Sequence, residues 1–151
     1  MPPTARMKLA WALELARYWV RTMGCAQLMI KLDLSIESIR EYCLLKKGCT
    51  ESFPFDNRNL VFKVMNKIFA LVDIESQDFI LLKCHPNNAL EWREQYAGVK
   101  PGYYSNKRHW NTVMLKEDVP ASKVYEWIDH SFDQVILGLP KYKRIEWSNS
   151  L

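Results

Sequence analysis

The densest group of residues that could do chemistry is the run Tyr103–Asn111, which reads Tyr-Tyr-Ser-Asn-Lys-Arg-His-Trp-Asn. Cationic side chains neutralise phosphates, and planar rings stack on exposed bases. The run therefore predicts a nucleic-acid contact made by Tyr104, Lys107, Arg108 and His109. The alternative interpretation is structural, because Trp110 also begins an alternating strand pattern and could simply fill the core.

Three further lysines are candidate phosphate contacts. Lys83 lies in an alternating apolar run and shares a strand face with Phe79 and Leu81. Lys63 and Lys67 flank a predicted hairpin turn, from which they could grip a nucleic-acid backbone as a wing does. The alternatives are a lysine that snorkels from a half-buried strand, and ordinary solvated loop charge.

Residues suited to catalysis or metal binding are few. Cys84 and His85 are adjacent, so on a strand they point to opposite faces, and Cys43 has no evident base either. The three histidines lack metal-ligand spacing, and no Gly-rich phosphate loop, GxSxG or HExxH motif occurs. Glu37 and Glu41 form the best carboxylate pair, although neighbouring cations can neutralise that surface. We therefore expect neither an enzyme nor a metal or cofactor site.

Composition limits the class of protein. The 151 residues are 48% hydrophobic and 25% charged, which is typical of a soluble globular domain and excludes disordered and collagen-like chains. The four cysteines lack paired spacing, which favours reduced thiols and a cytoplasmic location. No window holds about 18 uninterrupted apolar residues, so no membrane partner is expected.

The charge is small but unevenly distributed. The net charge is +4, and residues 1–34 hold five Lys/Arg against two Asp/Glu. Residues 93–116 carry five Lys/Arg against Glu94, a local patch of the size that could contact a few phosphates.

Helical and strand periodicities alternate along the chain from residue 35 onward. Ser35 and Gly48 bracket a first helix, and a second should begin at Pro86 with Asn87 or Asn88 near its cap. Alternating patterns predict strands at 60–65, 67–72, 78–84 and 110–115, the first two joined by a very tight turn. A last helix, with apolar residues at three- and four-residue spacing from Val124, should end before Gly138. This order predicts an α+β domain, an antiparallel sheet with helices on one face.

The composition changes near Met29, where we place a domain boundary. Residues 29–151 should form the domain, and residues 1–28 an N-terminal extension of helical pattern. Three interpretations of that extension compete: a helix packed on the domain or a partner, a membrane-surface helix, and a start upstream of a natural one at Met29. The first and third fit better, because the basic residues do not segregate onto one face.

The order of landmarks resembles the MmcQ/YjbR family of small bacterial proteins over about residues 34–145. The resemblance rests on the runs Ile39–Cys43, Thr50–Phe55, Val61–Val64, Lys67–Leu71, Leu82–Cys84, Tyr96–Val99, Asn106–Val113, Asp129–Asp133 and Gly138–Lys141. The Lys-Arg-His-Trp-Asn sequence within it is the most specific part. The resemblance implies a frataxin-like α+β fold, also described as a double wing, and an assignment as DNA-binding that follows from structural likeness. Residues 1–28 have no counterpart in the family.

The sequence and the resemblance together lead to one functional expectation. The protein should be a non-enzymatic, weakly sequence-selective DNA-binding protein that contacts phosphates through basic residues on the open sheet face and its loops. Two alternatives from other classes remain: a protein or small-ligand interaction module that uses residues 103–111, and an uncharacterised enzyme with its site there.

Overall fold

The structure, a computed structural model, describes residues 33–102 and 105–150. Those residues form four helices and six strands. The helices are α1 (Ile36–Leu44), α2 (Pro86–Gln95), α3 (Ala121–Leu137) and α4 (Lys141–Asn149). The strands are β1 (Cys49–Ser52), β2 (Asn59–Val64), β3 (Lys67–Asp73), β4 (Phe79–Lys83), β5 (Val99–Pro101) and β6 (Trp110–Met114).

The strands form one antiparallel sheet in the order β1-β2-β3-β4-β6-β5. The turn between β2 and β3 consists of Met65 and Asn66, whose φ angles are 49° and 64°. Two consecutive residues with positive φ are what a type I′ hairpin turn requires, and this turn matches the twist of the flanking strands. The tight hairpin predicted from the sequence is confirmed.

The hydrophobic core lies between one face of the sheet and the helices. Alternate residues of β2 and β4 point to this face, where they meet Ile39 of α1 and Ile128 of α3. Trp92 of α2 stacks on Trp127 at a centroid distance of 4.6 Å, and Trp147 of α4 packs against the same core. The predicted α+β architecture, a sheet with helices on one face, is confirmed.

Local details differ from the sequence predictions. Strands β1 and β5 were not predicted, because segments of four and three residues carry little periodic signal. Helix α4 was not predicted, because it has neither a side-chain cap nor a buried apolar face. The cap of α2 is also not Asn87 or Asn88. The side chain of His85 occupies this position, and its Nδ1 accepts a hydrogen bond from the Asn87 N–H at 3.2 Å.

Two predictions fall on parts of the chain that the structure does not describe. These are the extension at residues 1–28 and the nucleic-acid contact by Tyr104. Among the residues that are described, no helix has the length and apolar character needed to span a membrane.

Candidate nucleic-acid interface

The antiparallel topology gathers the basic connections at one end of the sheet. Strands β2, β4 and β5 end there, and β1, β3 and β6 begin there. The turn that follows α3 lies at the same end, since Gly138 and Leu139 share a cleft with Lys67. We call this the basic end; its described cations are Lys46, Lys47, Lys63, Lys67, Lys83, Lys107, Arg108, Lys141, Lys143 and Arg144.

The opposite end of the sheet is acidic. Its connections carry Asp56, Asp73, Glu75, Asp78, Glu117 and Asp118. The cations near this end are paired: Arg58 with Asp73 at 2.6 Å, Lys116 with Asp78 at 2.9 Å, and Lys100 with Glu117 at 3.8 Å. At the basic end, by contrast, the stretches 45–50, 63–72, 83–90, 105–112 and 138–145 contain no Asp or Glu. The fold therefore separates charge along the strand direction.

A cleft opens at the basic end where β3 and β4 separate. The β3–β4 ladder pairs Ala70 with Leu82 and goes no further toward this end. The next link is the buried hydroxyl of Ser131 on α3, which accepts from the Lys83 N–H at 2.9 Å and donates to the Phe69 carbonyl at 2.5 Å. A side chain thus replaces a strand-to-strand hydrogen bond, and the strands diverge beyond it.

The cleft brings together three lysines predicted from the sequence. It has a volume of about 480 Å³ and is lined by Lys63, Asn66, Lys67, Ile68, Lys83, Trp110, Val135, Gly138 and Leu139. Lys63 and Lys83 approach from the sheet face that carries no described helix, and Lys67 from the hairpin turn. Within the described residues none of the three forms an ion pair, and no carboxylate lines the cleft.

The loop before β6 is held by Arg93 of α2. The Arg93 guanidinium donates to the Asn111 side-chain oxygen at 2.6 Å and to the carbonyls of Lys107 and Trp110. The side chains of Lys107 and Arg108 are exposed, and His109 is half-buried. Of the predicted patch at residues 93–116, Arg93 is therefore structural, and Lys107 and Arg108 remain available at the surface.

The sheet face without described helices is mostly apolar. Val61 and Leu81 lie on it and are 0% and 7% exposed. Its described cations are Lys63 and Lys83 at strand ends, and Lys100 on the edge strand β5, which is paired with Glu117.

Cysteine chemistry is unfavourable in the described part of the chain. Burial raises the pKa of Cys84 to about 11 and that of Cys49 to about 12, and it raises the pKa of Cys43 strongly as well. Such thiols hold little thiolate, the nucleophilic form, at neutral pH. No group of three or more His, Cys, Asp or Glu residues in residues 33–102 and 105–150 is arranged to hold a metal ion.

Comparisons with known proteins agree on one family. A family model described as YjbR matches residues 44–134. The uncharacterized protein YjbR of Escherichia coli K12 is 34% identical over 112 residues, which cover 74% of this chain and 95% of that protein. The uncharacterized protein YyaQ of Bacillus subtilis is 29% identical over 114 residues, 66% of this chain and 96% of its own.

Solved structures show the same fold. The crystal structure of the Deinococcus radiodurans protein DR2400, of the domain family DUF419, superposes with a TM-score of 0.69 at 33% identity. It covers 80% of this chain and 94% of its own. The residues that the family model matches include the lysines of the cleft and the loop at 105–109, but not α4.

Proposed function

Because this chain belongs to the YjbR family, whose matched residues include the lysines of the cleft and the neighbouring loop, we propose that it is a non-enzymatic DNA-binding protein. The basic end contacts phosphates and the acidic end faces away from the DNA. Binding is weakly sequence-selective, because phosphate contacts carry affinity but no direct sequence information.

One observation carries this proposal: among the described residues, the cations at the basic end form no ion pair except Lys46, which is paired with Asp129, whereas those at the other end are paired with carboxylates. Lys63, Lys67, Lys83, Lys107 and Arg108 come from three separate connections and face no acidic partner among the described residues. A concentrated field of one sign attracts a polyanion and orients it on approach. A net charge of only +4 would not do so if it were spread evenly.

A salt titration tests the proposal. Labelled DNA of random sequence, single- and double-stranded, is titrated with protein and followed by fluorescence anisotropy. With three or four phosphates contacted, the slope of log affinity against log salt should be about −3, and raising salt from about 50 to 200 mM should weaken binding roughly 60-fold. Dissociation constants should be micromolar or weaker at physiological salt.

Paired variants locate the contact. Lys107→Ala with Arg108→Ala should flatten the slope by about two, with the melting temperature unchanged, because both side chains are exposed. Lys100→Ala with Lys116→Ala removes the same charge from beside the acidic end and should leave the slope unchanged. An equal flattening of the slope in both variants would contradict the proposal. So would the absence of salt-dependent DNA binding by the native protein at about 50 mM salt. Unfolding of the first variant would make Lys107 and Arg108 structural.

A further inference from the structure

The cleft at the basic end differs in shape and lining from a surface that only touches phosphates. Resting on the proposed function and deepening it, we propose that this cleft holds one unstacked nucleotide. The lysines Lys63, Lys67 and Lys83 bind its phosphate, and the Trp110 ring stacks on its base. The protein should therefore prefer single-stranded DNA to a duplex.

The lysines surround the cleft on both sides of the strand gap. Lys63 is paired with Ile68 across β2 and β3, and Lys83 is paired with Trp110 across β4 and β6. Strand β3 lies between β2 and β4, so the backbones that carry Lys63 and Lys83 are about 10 Å apart at two strand spacings, a gap that two long lysine side chains can close on a common anion. With no carboxylate in the lining, nothing inside the cleft competes for these ammonium groups.

Trp110 differs from the other tryptophans that the structure describes. The rings of Trp92, Trp127 and Trp147 each pack against another aromatic ring. Trp110 is half-buried, lines the cleft, and has no such ring contact within the described residues. Aromatic rings placed beside cations are the usual stacking platform for bases in single strands, and every base offers a π-face to them.

The shape of the cleft favours an exposed nucleotide over a duplex. The volume of about 480 Å³ is in the range of small-molecule sites, and the open cleft is lined by apolar side chains as well as by lysines. The bases of a duplex are stacked inside the helix and cannot reach a ring in a cleft unless they are flipped out. A phosphate with a free base, in a single strand or as a free nucleotide, has the chemistry that fits.

The test compares four probes: oligothymidylate, a duplex of the same length, thymidine 5′-monophosphate and unphosphorylated thymidine. Oligothymidylate should bind at least about 5-fold more tightly than the duplex, and the monophosphate should compete while thymidine does not. Trp110→Leu should weaken oligothymidylate binding by roughly 5- to 100-fold and leave duplex binding unchanged. Trp110→Phe keeps a ring and should retain most of the affinity, which separates stacking from a folding defect.

A second comparison sets two lysines inside the cleft against two cations outside it. Lys67→Gln with Lys83→Gln should abolish competition by the monophosphate, whereas Lys107→Gln with Arg108→Gln should weaken both DNA forms and spare the monophosphate. A monophosphate that binds as tightly as oligothymidylate would make the free nucleotide the ligand.

The remaining outcomes separate the two proposals. DNA binding that is equal for both forms and insensitive to Trp110→Leu and to Lys67→Gln with Lys83→Gln would overturn the cleft site and leave the proposed function standing. Binding of the monophosphate without any DNA binding would overturn the proposed function and leave the cleft as a nucleotide site. Binding of no probe would overturn both.

Discussion

Among single residues, Asp73 shows how a buried charge can be tolerated in this fold. It is 3% exposed, accepts a hydrogen bond from the Arg58 guanidinium at 2.6 Å, and accepts two more from the backbone N–H groups of Glu75 and Ser76. The hydrogen bond from Arg58 is the largest cause that lowers the pKa of Asp73 to about 2. The carboxylate at the acidic end therefore stabilises the turn after β3 while ionised.

The lowered pKa of Asp73 predicts a pH-dependent stability. Since the pKa is below its ordinary value of 3.8, the stabilisation is fully present above about pH 4 and is lost as the pH falls toward about 2. Asp73→Asn should lower the free energy of unfolding by about 2 kcal/mol at pH 7 and by little near pH 2. Urea unfolding across this range measures the difference, with the exposed Glu91→Gln on α2 as control. A difference that stays constant with pH would contradict the prediction.

At the scale of elements, α3 organises the end of the sheet as well as the core. Its Ser131 lies in the same helix as the buried Ile128 and Val135, and its hydroxyl joins strands β3 and β4 where their own ladder stops. The neighbouring His130 accepts from the His85 N–H, so the same turn of α3 also anchors the start of α2. The strand gap that forms the cleft therefore depends on a helix, not on the sheet alone.

Removing the bridging hydroxyl should be costly. Ser131→Ala leaves the Phe69 carbonyl and the Lys83 N–H without this partner beside a fully buried side chain, which typically costs about 1–3 kcal/mol. Ser148→Ala, on the exposed surface of α4, should change stability by less than about 0.5 kcal/mol. Denaturant unfolding of both variants measures the effect. If Ser131→Ala were as mild as Ser148→Ala, the bridge would not contribute to stability.

For the whole molecule, the core between the helices and one face of the sheet draws on residues from Leu34 to Trp147. We therefore predict that residues 29–151, expressed alone, unfold cooperatively and within about 3 kcal/mol of the full chain. Urea denaturation of the two proteins side by side measures this. A non-cooperative transition, or a larger loss of stability, would mean that residues 1–28 belong to the folded domain.

The sequence by itself determined the elements whose signals are local. Helix α1 begins after its Ser35 cap, the hairpin turns at Met65 and Asn66, and α3 follows its apolar spacing, because caps, turns and periodicity act over a few residues. The candidate cations were also visible as residue types. Strands of three or four residues, such as β5 and β1, carry too few alternations to be recognised.

Only the tertiary structure decided which of these residues meet. Helix α4 is held by long-range contacts: Trp147 packs against Phe132, and its indole N–H donates to the Lys47 carbonyl, 100 residues away in sequence. Lys63 and Lys83 reach one cleft through strand order, and Ser131 bridges residues 48 and 62 positions away. Antiparallel pairing sends alternate connections to opposite ends of a sheet, so the separation of basic from acidic connections is a property of the topology, which local sequence patterns do not encode.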